Sequence, residues 1–256
     1  EAIRLPAEGY LGDQMQVVEP DAIHAARDAL QGAIGAALEP LWRDLHGRLA
    51  RPGFEISGEA KGARKLRNIA LVYLAASGAA DADAIAFAQF EAAHNMTERQ
   101  AALAVLANRT SDEREAALGI FYTRYSHDML VLDKWFQTQA LAFHPDTVAQ
   151  VERLAQHPDF TLSNPNRVRA LYGAFAANQW AFHHKSGKGY RLIADLILSL
   201  DPINAQTAAR MVPPLGRWRR FDERRAEKMR AQLQRIIEHP GLSKDVTEQV
   251  SKSLAV

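Results

Sequence analysis

The chain is 256 residues long, 47% apolar and 24% charged, an ordinary globular balance with length enough to bury a sizeable core. Its 31 basic and 30 acidic residues leave a net charge of +1, which argues against a surface built throughout to grip nucleic acid. Cysteine is absent, so disulfides and thiolate metal sites are excluded and a reducing, cytoplasmic setting is expected.

The first eighteen residues are irregular and read as a lead-in segment, with a helical domain expected over 19–256. Helices are expected at 21–38, 41–49, 59–77, 81–94, 97–108, 112–126, 128–142 and 146–156. They continue at 165–182, 188–200, 202–212, 214–220, 222–238 and 243–254. The apolar residues recur with helical period: Leu66, Ile69, Ala70, Tyr73 and Leu74 in one helix, Ile193, Leu196, Ile197 and Leu200 in another, Met229, Leu233, Ile236 and Ile237 in a third. Thr97 with Gln100, and Asp112 with Glu115, have capping-box spacing. Asp201 and Pro202 read as a cap and first helical residue, with Pro213 and Pro214 as the stop. Short connections make consecutive helices antiparallel neighbours, and no stretch alternates with period two. The expected fold is therefore all-α, an α-α superhelix or ARM/HEAT-like solenoid with degenerate repeats. The longest uncharged apolar run, Ile69 to Ala80, falls far short of the ~18–20 residues that cross a bilayer, and no basic-then-apolar leader is present.

The chemistry-bearing motifs are few. There is no His-Glu-x-x-His, no phosphate loop and no Gly-x-Ser-x-Gly. Adjacent His183 and His184 point about 100° apart on a helix and read as ordinary surface or loop-facing histidines rather than a metal pair. The Ser-Gly-Lys-Gly run at 186–189 reads as a turn. Residues 217–230 hold seven cations, Arg217, Arg219, Arg220, Arg224, Arg225, Lys228 and Arg230, against Asp222, Glu223 and Glu227. With Trp218 and Phe221 interleaved they read either as a nucleic-acid patch or as a solvated helix laced with pairs from Glu223 and Glu227 to Arg225 and Lys228. Asn164 and Pro165 read as a helix cap and first residue, yet Arg167 and Arg169 follow, where the dipole disfavours cations by about 0.3–1 kcal/mol each. Either they reach carboxylates on neighbouring helices, or the arginines belong to an anion site. Arg210, near a helix end, sits where a cation is favoured.

The blocks "TLSNPNRVRALYGAFAANQWAFHHKSGKGYRLIADLILSLDPINAQTAARMV", "HNMTERQAAL", "LDKWFQTQA" and "RRAEKMRAQL" together resemble the C-terminal helical domain of bacterial aminopeptidase N, the alanyl aminopeptidases of the M1 zinc metallopeptidase family. The resemblance extends to "LPAEGYLGDQMQVVEPDAIHAARDAL" near the start and covers essentially the whole chain. The first residue, Glu1 rather than Met, fits a piece that begins a little inside that domain.

The resemblance implies a four-domain enzyme that removes N-terminal residues from short peptides, with zinc held by His-Glu-x-x-His and a distant Glu in the part not present here. This piece would hold no cofactor, have no catalytic residue and be inactive alone. Its partners would be the catalytic and β domains of the same polypeptide and, through a shared cavity, short peptides; neither nucleic acid nor membrane is expected. The positions matching the family's cavity arginines are Arg169 and Arg210, expected to bind substrate, either at the C-terminal carboxylate of short peptides or by lining the subsites near the zinc. A free-standing helical-repeat scaffold for a protein or nucleic-acid partner is the alternative reading.

Overall fold

The computed structural model describes residues 3–51 and 53–255; Glu1, which suggested a longer polypeptide, lies outside them. The named elements among the described residues are all helical, with a single isolated parallel bridge between Val18 and Phe221. Contacts divide the chain into two units, Glu1–Pro6 with His24–Thr138, and Ala7–Ile23 with Gln139–Val256.

The first unit is built from most of α2 (Pro20–Ala37), then α3 (Glu39–Arg48), α4 (Gly58–Ala76), α5 (Ala82–Ala92), α6 (Met96–Ala107), α7 (Asp112–Tyr125) and most of α8 (Met129–Ala140). Packing runs between successive helices, α3 on α4 and α5 on α6 most extensively, the hairpin arrangement that short connections dictate. The expected stripe on α4 is seen: Ala70, Tyr73 and Leu74 are buried, and Tyr73 stacks on Trp42 of α3 with centroids 4.6 Å apart. Gly35 of α2 meets the end of α4 so closely that a Cβ there would lie 2.5 Å from the Tyr73 carbonyl oxygen.

Two caps differ from expectation. Helix α6 starts from Asn95, whose Oδ1 accepts from the Glu98 N–H at 3.0 Å, not from Thr97. Glu98 decides the matter: one carboxylate oxygen accepts from Asn95 Nδ2 at 2.6 Å and the other from Arg67 at 2.7 Å, joining cap to core. Helix α7 is capped by Ser111 rather than Asp112, its hydroxyl accepting from the Arg114 N–H.

The second unit contains α1 (Glu8–Asp13), α9 (Thr147–Ala155), α10 (Pro165–Val168), a π-helical turn (Arg169–Gly173), α11 (Ala174–Ala177) and α12 (Gln179–Phe182). It continues through α13 (Lys188–Leu200), α14 (Ala205–Ala209), α15 (Pro213–Gly216), a 3₁₀ turn (Trp218–Arg220), α16 (Glu223–Ile237) and α17 (Lys244–Leu254). The predicted stripes of α13 and α16 form its core, with Ile193, Ile197, Leu200, Met229, Leu233 and Ile236 fully buried. Asp201 is not an N-cap: α13 runs on to it, and its carboxylate accepts from the Ser243 N–H at 2.8 Å and from the Ser243 hydroxyl. Asn204 caps α14 instead, accepting from the Thr207 N–H at 2.9 Å. Pro213 opens α15 rather than only ending the helix before it.

Candidate functional site

The stretch 164–182 carries the candidate site, and its cap forms as the sequence indicates. Asn164 Oδ1 accepts from the N–H groups of Asn166 (3.0 Å) and Arg167 (3.3 Å), and Pro165 occupies the first helical position. The two arginines that follow divide. Arg167 is 3% exposed and turned inward, Nη1 donating to the Asp159 carbonyl at 2.6 Å. That charge-assisted bond to a backbone oxygen offsets the unfavourable dipole position. Arg169 is exposed, and its Nη2 donates to the Asn166 side-chain oxygen.

Arg169 opens the π turn, a wider helical turn that carries one residue more than the α form and recurs at functional sites. Gly173 ends it. A Cβ at Gly173 would lie 3.6 Å from Arg169 Cβ and 3.9 Å from Cγ, so the arginine stem lies along the glycine. The helix then breaks at Asn178, where ψ is 93°. Its buried side chain caps the segment that follows and ties it to residues 140–142: Oδ1 accepts from the Ala181 N–H at 3.1 Å, and Nδ2 donates to the carbonyls of Ala140 (3.2 Å) and Ala142 (2.9 Å). One helix over 165–182 is thus three short segments joined by a π turn and an asparagine hinge.

Arg210 follows α14 directly and is exposed, as Arg169 is. Among the described residues neither guanidinium has a carboxylate partner, and the two share no hydrogen bond. The structure therefore leaves both charges facing solvent and does not bring them into contact.

His183 corrects the surface reading of the histidine pair. It is buried, its Nδ1 lies 3.0 Å from the Tyr190 hydroxyl, and its ring stacks on Phe221 at 4.0 Å. Burial first, then the charges of Arg225 and Arg217, push its pKa down to about 3, so the ring is neutral. His184 is exposed and hydrogen-bonds Ser186 within the turn.

The basic stretch 217–230 is bonded largely to the chain itself. Arg217 pairs with Asp13. Arg220 donates to the Met15 carbonyl at 2.7 Å, while its own carbonyl accepts from the Val18 N–H at 2.6 Å. Arg225 binds Asp222 at 2.8 Å, Asp21 at 2.6 Å and the His183 carbonyl at 2.7 Å. Arg219 lies 4.1 Å over the Trp218 ring and donates to the Ala255 carbonyl, and Lys228 donates to the Lys185 carbonyl. The carboxylates that answer this run are Asp13, Asp21 and Asp222, not the expected Glu223 and Glu227.

Asn166 and Asn178 were not singled out in the sequence, and His183 was read as a surface or loop-facing residue. The signals for the asparagines were present: an amide where an acid is favoured, and an amide inside an apolar helical run. The stacking of His183 on Phe221 joins residues far apart in the chain and left no local signal.

Among the described residues no group of three or more His, Asp or Glu side chains stands close enough to hold a metal ion. No helix of the described residues is long and apolar enough to cross a membrane.

The chain is 43% identical over 254 residues to Aminopeptidase N of Caulobacter vibrioides. It is 34% identical to the Aminopeptidase N proteins of Haemophilus influenzae, over 253 residues, and Escherichia coli, over 256. These alignments cover 98–100% of this chain but 29% of each relative's length. Among solved structures, that of Legionella pneumophila aminopeptidase A in complex with aspartic acid matches with a TM-score of 0.89 and 32% identity, covering 98% of this chain and 31% of that one. The model of a family described as "Domain of unknown function (DUF3458_C) ARM repeats" matches residues 1–255, and to that family of ARM-repeat helical domains the chain belongs.

Proposed function

We propose that the chain is the C-terminal helical domain of a zinc-dependent, M1-type aminopeptidase that trims short peptides from their N-termini in the cytoplasm. The observation that carries this reading is end-to-end similarity to one 29% segment of three Aminopeptidase N proteins. In this reading the His-Glu-x-x-His zinc centre and the catalytic groups belong to the remainder of the polypeptide. The helical domain walls a cavity that admits short peptides and excludes folded proteins. Its partners are the catalytic and β domains of the same polypeptide, without nucleic acid or membrane.

Within that cavity Arg169 and Arg210 bind substrate: exposed guanidinium groups without carboxylate partners suit the C-terminal carboxylate of a short peptide. The test has two parts. Adding this chain to a catalytic portion truncated before it should restore cleavage of an alanine amide; no gain would oppose the domain's role. In the full polypeptide, Arg169→Ala should raise KM for di- and tripeptides more than for amide-capped analogues. Equal changes for both substrate types would remove the carboxylate role.

A further inference from the structure

Helix α2 and the start of α3 turn to solvent a side with the composition of an interior. Residues 29–38 read Ala-Leu-Gln-Gly-Ala-Ile-Gly-Ala-Ala-Leu, with no charge and one polar side chain, Gln31. Leu30, Ala33, Ala37, Leu38 and Leu41 fall at i, i+3, i+7, i+8 and i+11, the spacing by which a helix faces a core. All five are exposed, Leu30, Leu38 and Leu41 by 50%, 43% and 46%. The approach to α4 is made by Gly35 and Trp42 instead.

Helix α17 shows what a solvated side looks like in this chain. Its exposed residues are Lys244, Asp245, Thr247, Glu248, Ser251 and Lys252, while Val246 and Val250 are buried. In a helical-repeat fold each repeat buries its apolar side on the next, and a helix that ends the stack needs a polar outer side. Helix α17 meets that requirement and α2 does not. The spacing also sets the chemistry of the cover. Residues three and four apart form the ridges between which another helix packs, so the leucines suit an apolar helix. Room for such a helix exists in the relatives: this chain matches 29% of each Aminopeptidase N, and most of each polypeptide lies outside the match.

We infer that this side of α2 and α3 is an internal seat: an apolar helix of the same polypeptide, from outside residues 1–256, packs along Leu30, Ala33, Ala37 and Leu41. The inference rests on the proposal above that the chain is one domain of a longer polypeptide, and it names the surface and the kind of element that join them.

Cysteine is absent from the 256 residues, so a thiol introduced here reports on its own surroundings. In the full polypeptide, Ala33→Cys should react with N-ethylmaleimide about 100-fold slower than the same residue in urea, because a covered thiol is reached only through local opening. Thr247→Cys, on the polar side of α17, should react within about 3-fold of its rate in urea. Each site is read by mass spectrometry of its own peptide. Fast labelling at both positions would leave the seat to solvent and overturn the inference. Slow labelling of Ala33→Cys that speeds up on dilution would make a second copy the occupant, and overturns it too.

Amide exchange in the unsubstituted protein keeps the test independent of the new thiol. Exchange at 29–37 should be at least about 10-fold slower in the full polypeptide than in the 256-residue chain alone, with 247–252 equal in the two. Equal exchange at 29–37 overturns the seat whatever the thiol does. The two readings fail separately. If the chain restores cleavage to the truncated catalytic portion while residue 33 reacts freely, the seat falls and the domain's role stands. If cleavage is not restored while residue 33 is protected, the seat stands and the role falls.

Discussion

Residues 165–182 and α13 (188–200) are neighbours in the chain that stay helical in opposite ways. Helix α13 runs unbroken, with Ile193, Leu196, Ile197 and Leu200 all buried along one side. Its order comes from an apolar stripe, and its backbone bonds are the ordinary ones. Residues 165–182 bury apolar groups as thoroughly, including Leu171, Phe175 and Phe182. Yet the backbone there passes through a π turn and a break, and polar side chains hold the pieces: Asn164 at the start, Asn178 at the hinge, Arg167 on the Asp159 carbonyl. A continuous stripe fixes a helix but leaves its polar side chains uncommitted. The interrupted run fixes individual polar side chains, and Arg169 is one of them.

This contrast is sharpest in its failures. Ile197→Ala should destabilise the domain by about 3–4 kcal/mol, read by urea denaturation, because α13 has only packing to lose. The interrupted region should instead respond to pH. His183 stays neutral in the folded state down to about pH 3 while the unfolded chain takes a proton below about 6.5. Stability therefore falls as pH drops through that window, by as much as about 1.4 kcal/mol per unit from this group. By pH 4 the loss is about 3 kcal/mol, and His183→Phe should remove that component in a denaturation series against pH. A slope identical in the two proteins would mean that His183 is not buried as described.

Asn178→Ala should cost about 2–3 kcal/mol, since the carbonyls of Ala140 and Ala142 lose their donor and the Ala181 N–H its acceptor. Gly173→Ala is the smallest change. The added Cβ makes ordinary contact with the Arg169 stem, and Gly173 has an α-helical φ of −65°. A gain of about 0.5–1 kcal/mol is expected by thermal melting. A loss would show that the π turn needs glycine's freedom.

Which features were legible in the sequence follows the same division. The stripe of α13 is written in spacing alone, and its limits of 188–200 were read correctly. So was the cap at Asn164, where Asn-Pro is a local signal. Caps chosen by distant partners were misread: Asn95 wins over Thr97 through Glu98 and its bond to Arg67, and Asp201 is drawn off by Ser243. The π turn has no composition of its own beyond Gly173, so 165–182 read as one helix. At the candidate site Arg169 and Arg210 were singled out by the resemblance, not by spacing. The separation of Arg167 from Arg169 was not, because it depends on where the Asp159 carbonyl lies.

The bonds from Arg217, Arg220 and Arg225 to residues 13–21 have a consequence for how the chain is made. Asp21 and Arg225 lie 204 residues apart. At a translation rate of about 5–20 residues per second, the early segment leaves the ribosome roughly 10–40 s before its anchor exists. During that interval Val18, which is buried in the finished molecule and bridged to Phe221, is without that partner. Nascent chains stalled before residue 217 should therefore be captured by chaperones through this segment, and those released beyond residue 225 should not.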